Sequence, residues 1–293
     1  MVNSTEHLEK RFDRYYINSQ TESFKEHLKG LAVVELCITE LCTRTCKFCP
    51  RGDATVYKNR NLHMSIETVD NFARKCKEEK YTGDIHISGF GEPFLHKKIF
   101  DIVKTLKIHL PNNRVTITNN GDCLNKMNLK EIYECGLDFM IISCYDGPES
   151  KEKFDLLFQE SNIPQSSYEI RKLWRNPDED IKTFVEKNKF NNRSGAVSSI
   201  KEDKTYSGQC YLPFYKLVID WNGDVLLCCN DWLRRHKGFG NINEQSLREI
   251  WFGEEFTKVR KSLITGDRTN NPACKHCNIT GTLIGKESVD ILL

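Results

Sequence analysis

Cys42-Thr43-Arg44-Thr45-Cys46-Lys47-Phe48-Cys49-Pro50 follows directly on the β-branched run at residues 32–39. Three thiols in the spacing C-x3-C-x2-C can wrap a short loop around one corner of a [4Fe-4S] cubane. One iron of such a cluster is then left without a protein donor. A site meant only for electron transfer or structure is normally closed by four ligands, so the vacancy points to chemistry. A zinc knuckle or a set of buried thiols is the alternative. Zinc sites usually pair two C-x2-C hooks, and a triplet placed after a strand does not have that form.

Outward from this loop, strands and helices alternate. Ser65 is placed to cap a helix whose apolar side is Ile66, Val69, Phe72, Ala73 and Cys76, at i, i+3, i+4 intervals. Short strands are expected at residues 84–88, 114–118, 139–143 and 167–173, with helices near residues 97–108 and 129–135. Only one helix, around residues 22–29, is expected before the first strand. Strand and helix in alternation argue for an α/β fold with a parallel sheet, in which ligands gather at the carboxyl ends of the strands. The cysteine loop, Gly89-Phe90-Gly91-Glu92-Pro93, Asn119-Asn120-Gly121 and Ser143 all fall at such ends. From about residue 201 the pattern changes: two short strands flank the hairpin signal Asn222-Gly223, one amphipathic helix is expected over residues 246–263, and Cys274-Lys275-His276-Cys277 follows.

With 293 residues, 39% of them apolar and 29% charged, the chain can bury one large domain, or one large and one small. A net charge of +2 announces neither a nucleic-acid surface nor an acidic tail. The charged first thirty residues are not a signal peptide, and no apolar run reaches the length of a membrane span. A soluble, cytoplasmic protein with no membrane or nucleic-acid partner is expected. Thirteen cysteines in such a compartment are not a disulfide framework. The clustered ones suit a metal or cluster, and the dispersed Cys37, Cys76, Cys123 and Cys135 suit small apolar core positions.

The C-x3-C-x2-C loop, with Phe48 immediately before its third cysteine, resembles that of the radical S-adenosylmethionine (SAM) superfamily. That resemblance implies a partial (β/α)6, TIM-like barrel. It assigns Cys42, Cys46 and Cys49 to a [4Fe-4S] cluster whose open iron binds SAM and cleaves it to a 5′-deoxyadenosyl radical. Gly89, Phe90, Gly91 and Glu92 resemble the Gly-Gly-Glu motif that holds the methionine amino group, with Phe90 in place of the middle glycine. Asn119, Asn120 and Ser143 would face the ribose and carboxylate, or serve simply as strand-terminal turn residues.

Cys210, Cys228, Cys274 and Cys277 resemble the short Twitch form of the family's SPASM extension, a β-hairpin plus helix that holds one auxiliary [4Fe-4S] cluster. A four-thiolate zinc site fits the same hook, and Cys229 competes with Cys228 as the ligand. The implied division is a lead-in at residues 1–31, a radical SAM core at 32–200 and a SPASM/Twitch domain at 201–293.

The downstream spacing is most similar to that of family members that oxidise a secondary alcohol of a cyclitol to a ketone. The implied substrate is therefore a sugar or aminocyclitol, and the implied reductant is a flavodoxin or ferredoxin. Completing the ketone needs the loss of one proton and one electron, and the auxiliary cluster can take the electron. Arg193 lies where such a dehydrogenase carries a substrate-contacting arginine. A guanidinium is a poor base, so its expected role is to orient the hydroxyl. Glu35 is a second catalytic candidate on the first strand, or else a solvated strand-edge residue.

The same scaffold can epimerise a sugar or amino acid with Cys144 or Cys229 returning a hydrogen atom. It can also modify a peptide, although thirty residues are too few for a separate leader-binding domain in front. A zinc-stabilised binding module is the reading from another class.

Overall fold

Val33–Leu36 is buried at every residue, as a strand must be when both its neighbours and both its faces are covered. In the computed structural model, which describes residues 4–21, 23–200, 203–279, 285–286 and 288–293, this strand is β1. It pairs in parallel on one side with β2 (Asp84–Ile87) and on the other with β6 (Lys216–Ile219). Beyond β2 follow β3 (Val115–Asn119), β4 (Phe139–Cys144) and β5 (Tyr168–Lys172), all parallel. β7 (Val225–Leu226) closes the far edge antiparallel to β6. The order is β5-β4-β3-β2-β1-β6-β7. Six parallel strands in one open sheet form the expected partial barrel. The sixth lies beside β1 rather than after β5, and it comes from the hairpin that the Asn222-Gly223 signal marks.

The crossover helices are α2 (Ile66–Glu78), α3 (Ile99–His109), α4 (Lys126–Glu134) and α5 (Pro148–Glu160), preceded by α1 (Ser4–Ser19) and followed by α6 (Ile181–Lys187), α7 (Leu247–Trp251) and α8 (Glu254–Thr265). Several stretches differ from the expectation, the unanticipated α6 among them. Instead of one helix near residues 22–29 there is α1, and after it only a single π-helical turn at Ser23–His27. α1 is secured by tertiary contacts that no local pattern announces. Arg14 forks onto Asp84, seventy residues away, and Tyr15 packs on Tyr215 at 5.4 Å between ring centroids. The helix expected over 246–263 is two, broken at Gly253, which caps the second. α5 was not anticipated, although Pro148 at its first turn and Glu149 beside it are ordinary helix-start residues.

Because the strands run in parallel, the loops after β1, β2 and β3 and the end of β4 share one rim. His86 lines both a cavity at the rim and a second cavity of about 950 Å³ toward the opposite end of the strands. The second cavity is bounded by the first residues of the strands and contains no cysteine. No helix among the described residues is long and apolar enough to cross a membrane.

Ser65 does cap α2: its hydroxyl accepts the Thr68 N–H at 3.0 Å. Ser65→Ala should therefore cost about 1 kcal/mol of stability. The check is a urea titration, and an unchanged midpoint would contradict the assignment.

Candidate active site

The rim cavity is lined by Cys42, Cys46, Cys49 and Phe48 from the loop after β1, by Gly89, Phe90, Gly91 and Glu92 from the loop after β2, and by Asn119, Asn120, Ser143, Arg193 and Glu35. The residues singled out on the amino-terminal two-thirds of the chain thus converge on one space.

The cysteine loop is held from both sides. Arg44 forks onto two carboxylates, Asp122 after β3 and Asp146 after β4, with Nε to Asp122 Oδ2 at 2.9 Å and Nη1 to Asp146 Oδ1 at 2.7 Å. At the loop exit, Arg51 is buried and donates from Nε to the Phe90 carbonyl at 2.8 Å and from Nη2 to the Glu40 carbonyl at 2.5 Å. Phe48 stacks on Phe190, with 4.7 Å between centroids and 7° between planes. The thiols stand close enough to oppose one another's ionisation. Burial, then the neighbours Cys49 and Cys42, push the Cys46 thiol up to about 12.

The glycine loop fits under this loop only because side chains are missing. A Cβ on Gly91 would overlap the carbonyl oxygens of Thr39 and Leu41, and Gly89 has φ +101° and faces Cys37 Sγ. Glu92 donates its N–H to the Leu41 carbonyl at 2.6 Å, and its carboxylate accepts the N–H groups of Asn120 at 2.8 Å and Phe94 at 3.1 Å. Burial nevertheless pushes its carboxyl up to about 7. Asn120 reaches Thr43 Oγ1 at 2.8 Å, while the Asn119 side chain accepts the Gly121 N–H at 2.9 Å and so also builds the turn.

On the lumen side, Glu35 and Lys216 form a buried ion pair, and Ser88 donates to Glu35 at 2.8 Å. Burial alone would raise the Glu35 carboxyl. The charge of Lys216, with His86 and the two hydrogen bonds, outweighs it and holds the group at about 2. The solvated-edge reading of Glu35 is thereby replaced.

Arg193, Ser194 and Gly195 are three consecutive residues with positive φ, at +47°, +54° and +75°. Such backbone strain persists only where the surroundings enforce it. Here Asn192 and Asn278 exchange hydrogen bonds of 2.9 and 3.2 Å, and Asn192 Nδ2 donates to the His276 carbonyl at 2.8 Å. The Arg193 loop is therefore fastened to the hook of Cys274 and Cys277. Cys210, Cys228, Cys274 and Cys277 are buried together, and each of Cys210, Cys228 and Cys274 is pushed up first by burial and then by the other thiols. Cys229 also lies close to Cys210 and Cys228, and it lines the rim cavity.

Residues 36–187, just over half of the chain, match the family model described as the radical SAM superfamily. The chain belongs to that superfamily. Residues 210–278 match a second model, SPASM, described as an iron-sulfur cluster-binding domain. The chain is 26% identical over 253 residues to the S-adenosyl-L-methionine-dependent 2-deoxy-scyllo-inosamine dehydrogenase of Niallia circulans, covering 85% of this chain and 94% of that protein. It is 27% identical over 153 residues to a GTP 3′,8-cyclase of Chlorobaculum tepidum, covering 51% of this chain and 43% of that protein. Among solved structures, BtrN in complex with AdoMet and 2-DOIA superposes with a TM-score of 0.69 at 24% identity, over 85% of this chain and 93% of that one, a likeness of fold.

As a radical SAM protein with a SPASM segment, the chain uses S-adenosylmethionine, a [4Fe-4S] cluster and further iron-sulfur. The donor sets fit these groups. Thiols that oppose one another's ionisation are relieved by bound iron, because a coordinated thiol gives up its proton.

Lys216, Arg51, Arg171, Tyr145, Phe190 and Trp232 also line the cavity and were not anticipated. Lys216 alone carried a signal, a single charge inside the buried run Lys216–Ile219.

Glu35→Gln leaves Lys216 buried without its counter-charge and should cost about 3–5 kcal/mol at pH 7. Because the folded carboxyl sits at about 2 against an ordinary 4.5, the wild-type advantage should be complete above pH 4.5 and fade as pH falls toward 2. Thermal melts of the two proteins across that range test both parts.

Proposed function

We propose that this chain is a cytoplasmic radical SAM dehydrogenase that oxidises a secondary alcohol of a sugar or aminocyclitol to a ketone, with a flavodoxin or ferredoxin as reductant. The observation that carries the reading is the fastening of the Arg193 loop to the Cys274–Cys277 hook. A reaction that must dispose of an electron needs its substrate within reach of both cysteine sets, and this tie between a residue of the rim cavity and the downstream hook supports that reading. The dehydrogenase of Niallia circulans, which aligns over most of both chains, supports the same class.

In this reading Cys42, Cys46 and Cys49 hold the SAM-binding cluster. Gly89, Phe90, Gly91, Glu92, Asn119, Asn120, Ser143 and Phe48 hold SAM, and Cys210, Cys228, Cys274 and Cys277 hold one auxiliary [4Fe-4S] cluster. The functional division runs from a lead-in at 1–31 through a core at 32–200 to the auxiliary segment at 201–293. When bound, these groups supply a 5′-deoxyadenosyl radical and a sink for one electron.

The chain's own residues do the rest. Arg193 remains a cation and donates to the reacting hydroxyl, steadying the charge that grows on its oxygen. Glu35 is too weak a base to keep the proton and instead accepts a hydrogen bond, with Lys216 fixing its position, so the hydroxyl proton is released to solvent as the electron leaves.

A second reading has one observation behind it. Cys229 lines the cavity, so its thiol can return a hydrogen atom and make the reaction a redox-neutral epimerisation. Cys144 is not placed for that role, since its thiol donates to the Gly147 carbonyl at 3.6 Å and lies off the cavity.

Incubation with dithionite, SAM and a panel of sugars and aminocyclitols separates the two by product mass. Dehydrogenation predicts one 5′-deoxyadenosine for each product lighter by two hydrogen atoms. An unchanged mass with deuterium taken up from heavy water would establish epimerisation instead. Cys274→Ala should still cleave SAM but lose the ketone.

A further inference from the structure

Beside the downstream cysteines lies a cation buried without an acid. Arg268 follows α8, and its guanidinium donates to three carbonyls: Nε to Gly208 at 2.8 Å, Nη2 to Gln209 at 3.1 Å and Nη1 to Cys277 at 2.9 Å. Gly208 and Gln209 immediately precede Cys210. The side chain therefore joins two arms of the cysteine quartet. Among the described residues no carboxylate pairs with it.

A clamp between carbonyls needs donors but no charge, and burying a guanidinium without a counter-charge is costly. Arg260, buried in the same segment, also has no acid among the described residues, but its guanidinium lies over the rings of Trp251 and Phe256 at 4.1 and 4.9 Å. Arg268 has no such ring. Its charge acts instead on Cys210 and Cys274. Asp231, the acid that also acts on Cys274, is answered by Arg235 and His236, whose N–H groups it accepts at 2.9 and 3.1 Å.

A second donor at the hook is unspent. The Asn271 side-chain oxygen accepts the N–H groups of Ala273 and Cys274 at 3.1 and 2.9 Å, which fixes the amide, and its Nδ2 is buried with no acceptor among the described residues. An acid-free cation and an orphaned donor suit a neighbour that is negative and rich in sulfur. Four thiolates leave an oxidised cubane core negative overall, and an arriving electron adds to that charge.

We infer that Arg268 is a positioning residue for the oxidation, the fixed counter-charge that raises the auxiliary cluster's affinity for the substrate's electron. The inference rests on the quartet holding that cluster and goes beyond that reading in naming what sets its electron affinity. One electron leaves the substrate radical as the hydroxyl proton is released and the carbon–oxygen double bond closes. Arg268 exchanges no proton in this step, because a guanidinium stays charged throughout. Its attraction is greater for the reduced state, and burial keeps water from screening it.

The test uses the full chain with Cys42, Cys46 and Cys49 all replaced by Ala, so that any cluster left is the downstream one. About four irons and four sulfides per chain are expected after anaerobic reconstitution. Zinc without sulfide would break the quartet reading and take the inference with it. On the iron-loaded protein, anaerobic voltammetry gives the reduction potential. Arg268→Gln should lower the reduced-to-oxidised ratio at a fixed potential ~10-fold or more, a downward displacement of about 59 mV or more for one electron. Arg268→Lys keeps the charge and should stay within ~3-fold of the parent.

An unchanged potential in Arg268→Gln overturns the inference, and so do equal displacements in the two variants. Where Arg268→Gln does not retain the cluster, Arg268→Lys decides. A retained cluster at the parent's potential supports the role of the charge. A lost cluster, or a potential well below the parent's, leaves Arg268 a clamp between carbonyls and overturns the inference.

Discussion

One buried guanidinium, Arg51, ties the two loops on which everything else in the site depends. It follows the third cysteine of the cysteine loop and reaches the Phe90 carbonyl in the glycine loop and the Glu40 carbonyl in the loop after β1. A cation buried among neutral carbonyls is stable only if nearly all its donors are used, so neither loop can shift without breaking several charge-assisted bonds at once. The Leu41 carbonyl and the Glu92 carboxylate extend the tie to Asn120, and Asn120 returns it to Thr43. Three loops from three strand ends are thereby locked into one rim before any cofactor is considered.

The second constraint couples the two halves of the chain. β6 comes from the carboxyl-terminal segment yet pairs directly with β1, and its Lys216 reaches Glu35 across that pairing. Arg234 bridges Asp220 and Glu40, and it also donates to Tyr57 at 2.7 Å. The strained Arg193 turn is fastened to the Cys274–Cys277 hook, and the SPASM segment itself adds Lys216, Cys229 and Trp232 to the cavity lining.

What was legible in the sequence was local. C-x3-C-x2-C, Gly89 to Glu92 and Asn222-Gly223 declare themselves within a few residues, because loop spacing and turn geometry are short-range properties. The parallel sheet followed from alternation, and the first three strand ends with Ser143 correctly shared a rim. The rest depends on partners far apart in sequence. Glu40 and Arg234 are 194 residues apart, and Arg51 looks like any loop arginine until Phe90 is placed against it. α1 escaped notice because its anchors, Asp84 and Tyr215, lie on distant strands. Gly253 was a readable helix boundary, and the charge of Lys216 within a buried strand was a readable anomaly.

The account stands on a cluster held by three cysteines with one iron free for S-adenosylmethionine. The most direct measurement is the electron paramagnetic resonance spectrum of the dithionite-reduced protein, recorded without and with S-adenosylmethionine. The account predicts that adding the cosubstrate displaces the g-values of one of the reduced clusters, and that the displaced component is missing when Cys46 is replaced by Ala. Superimposable spectra with and without the cosubstrate would contradict it.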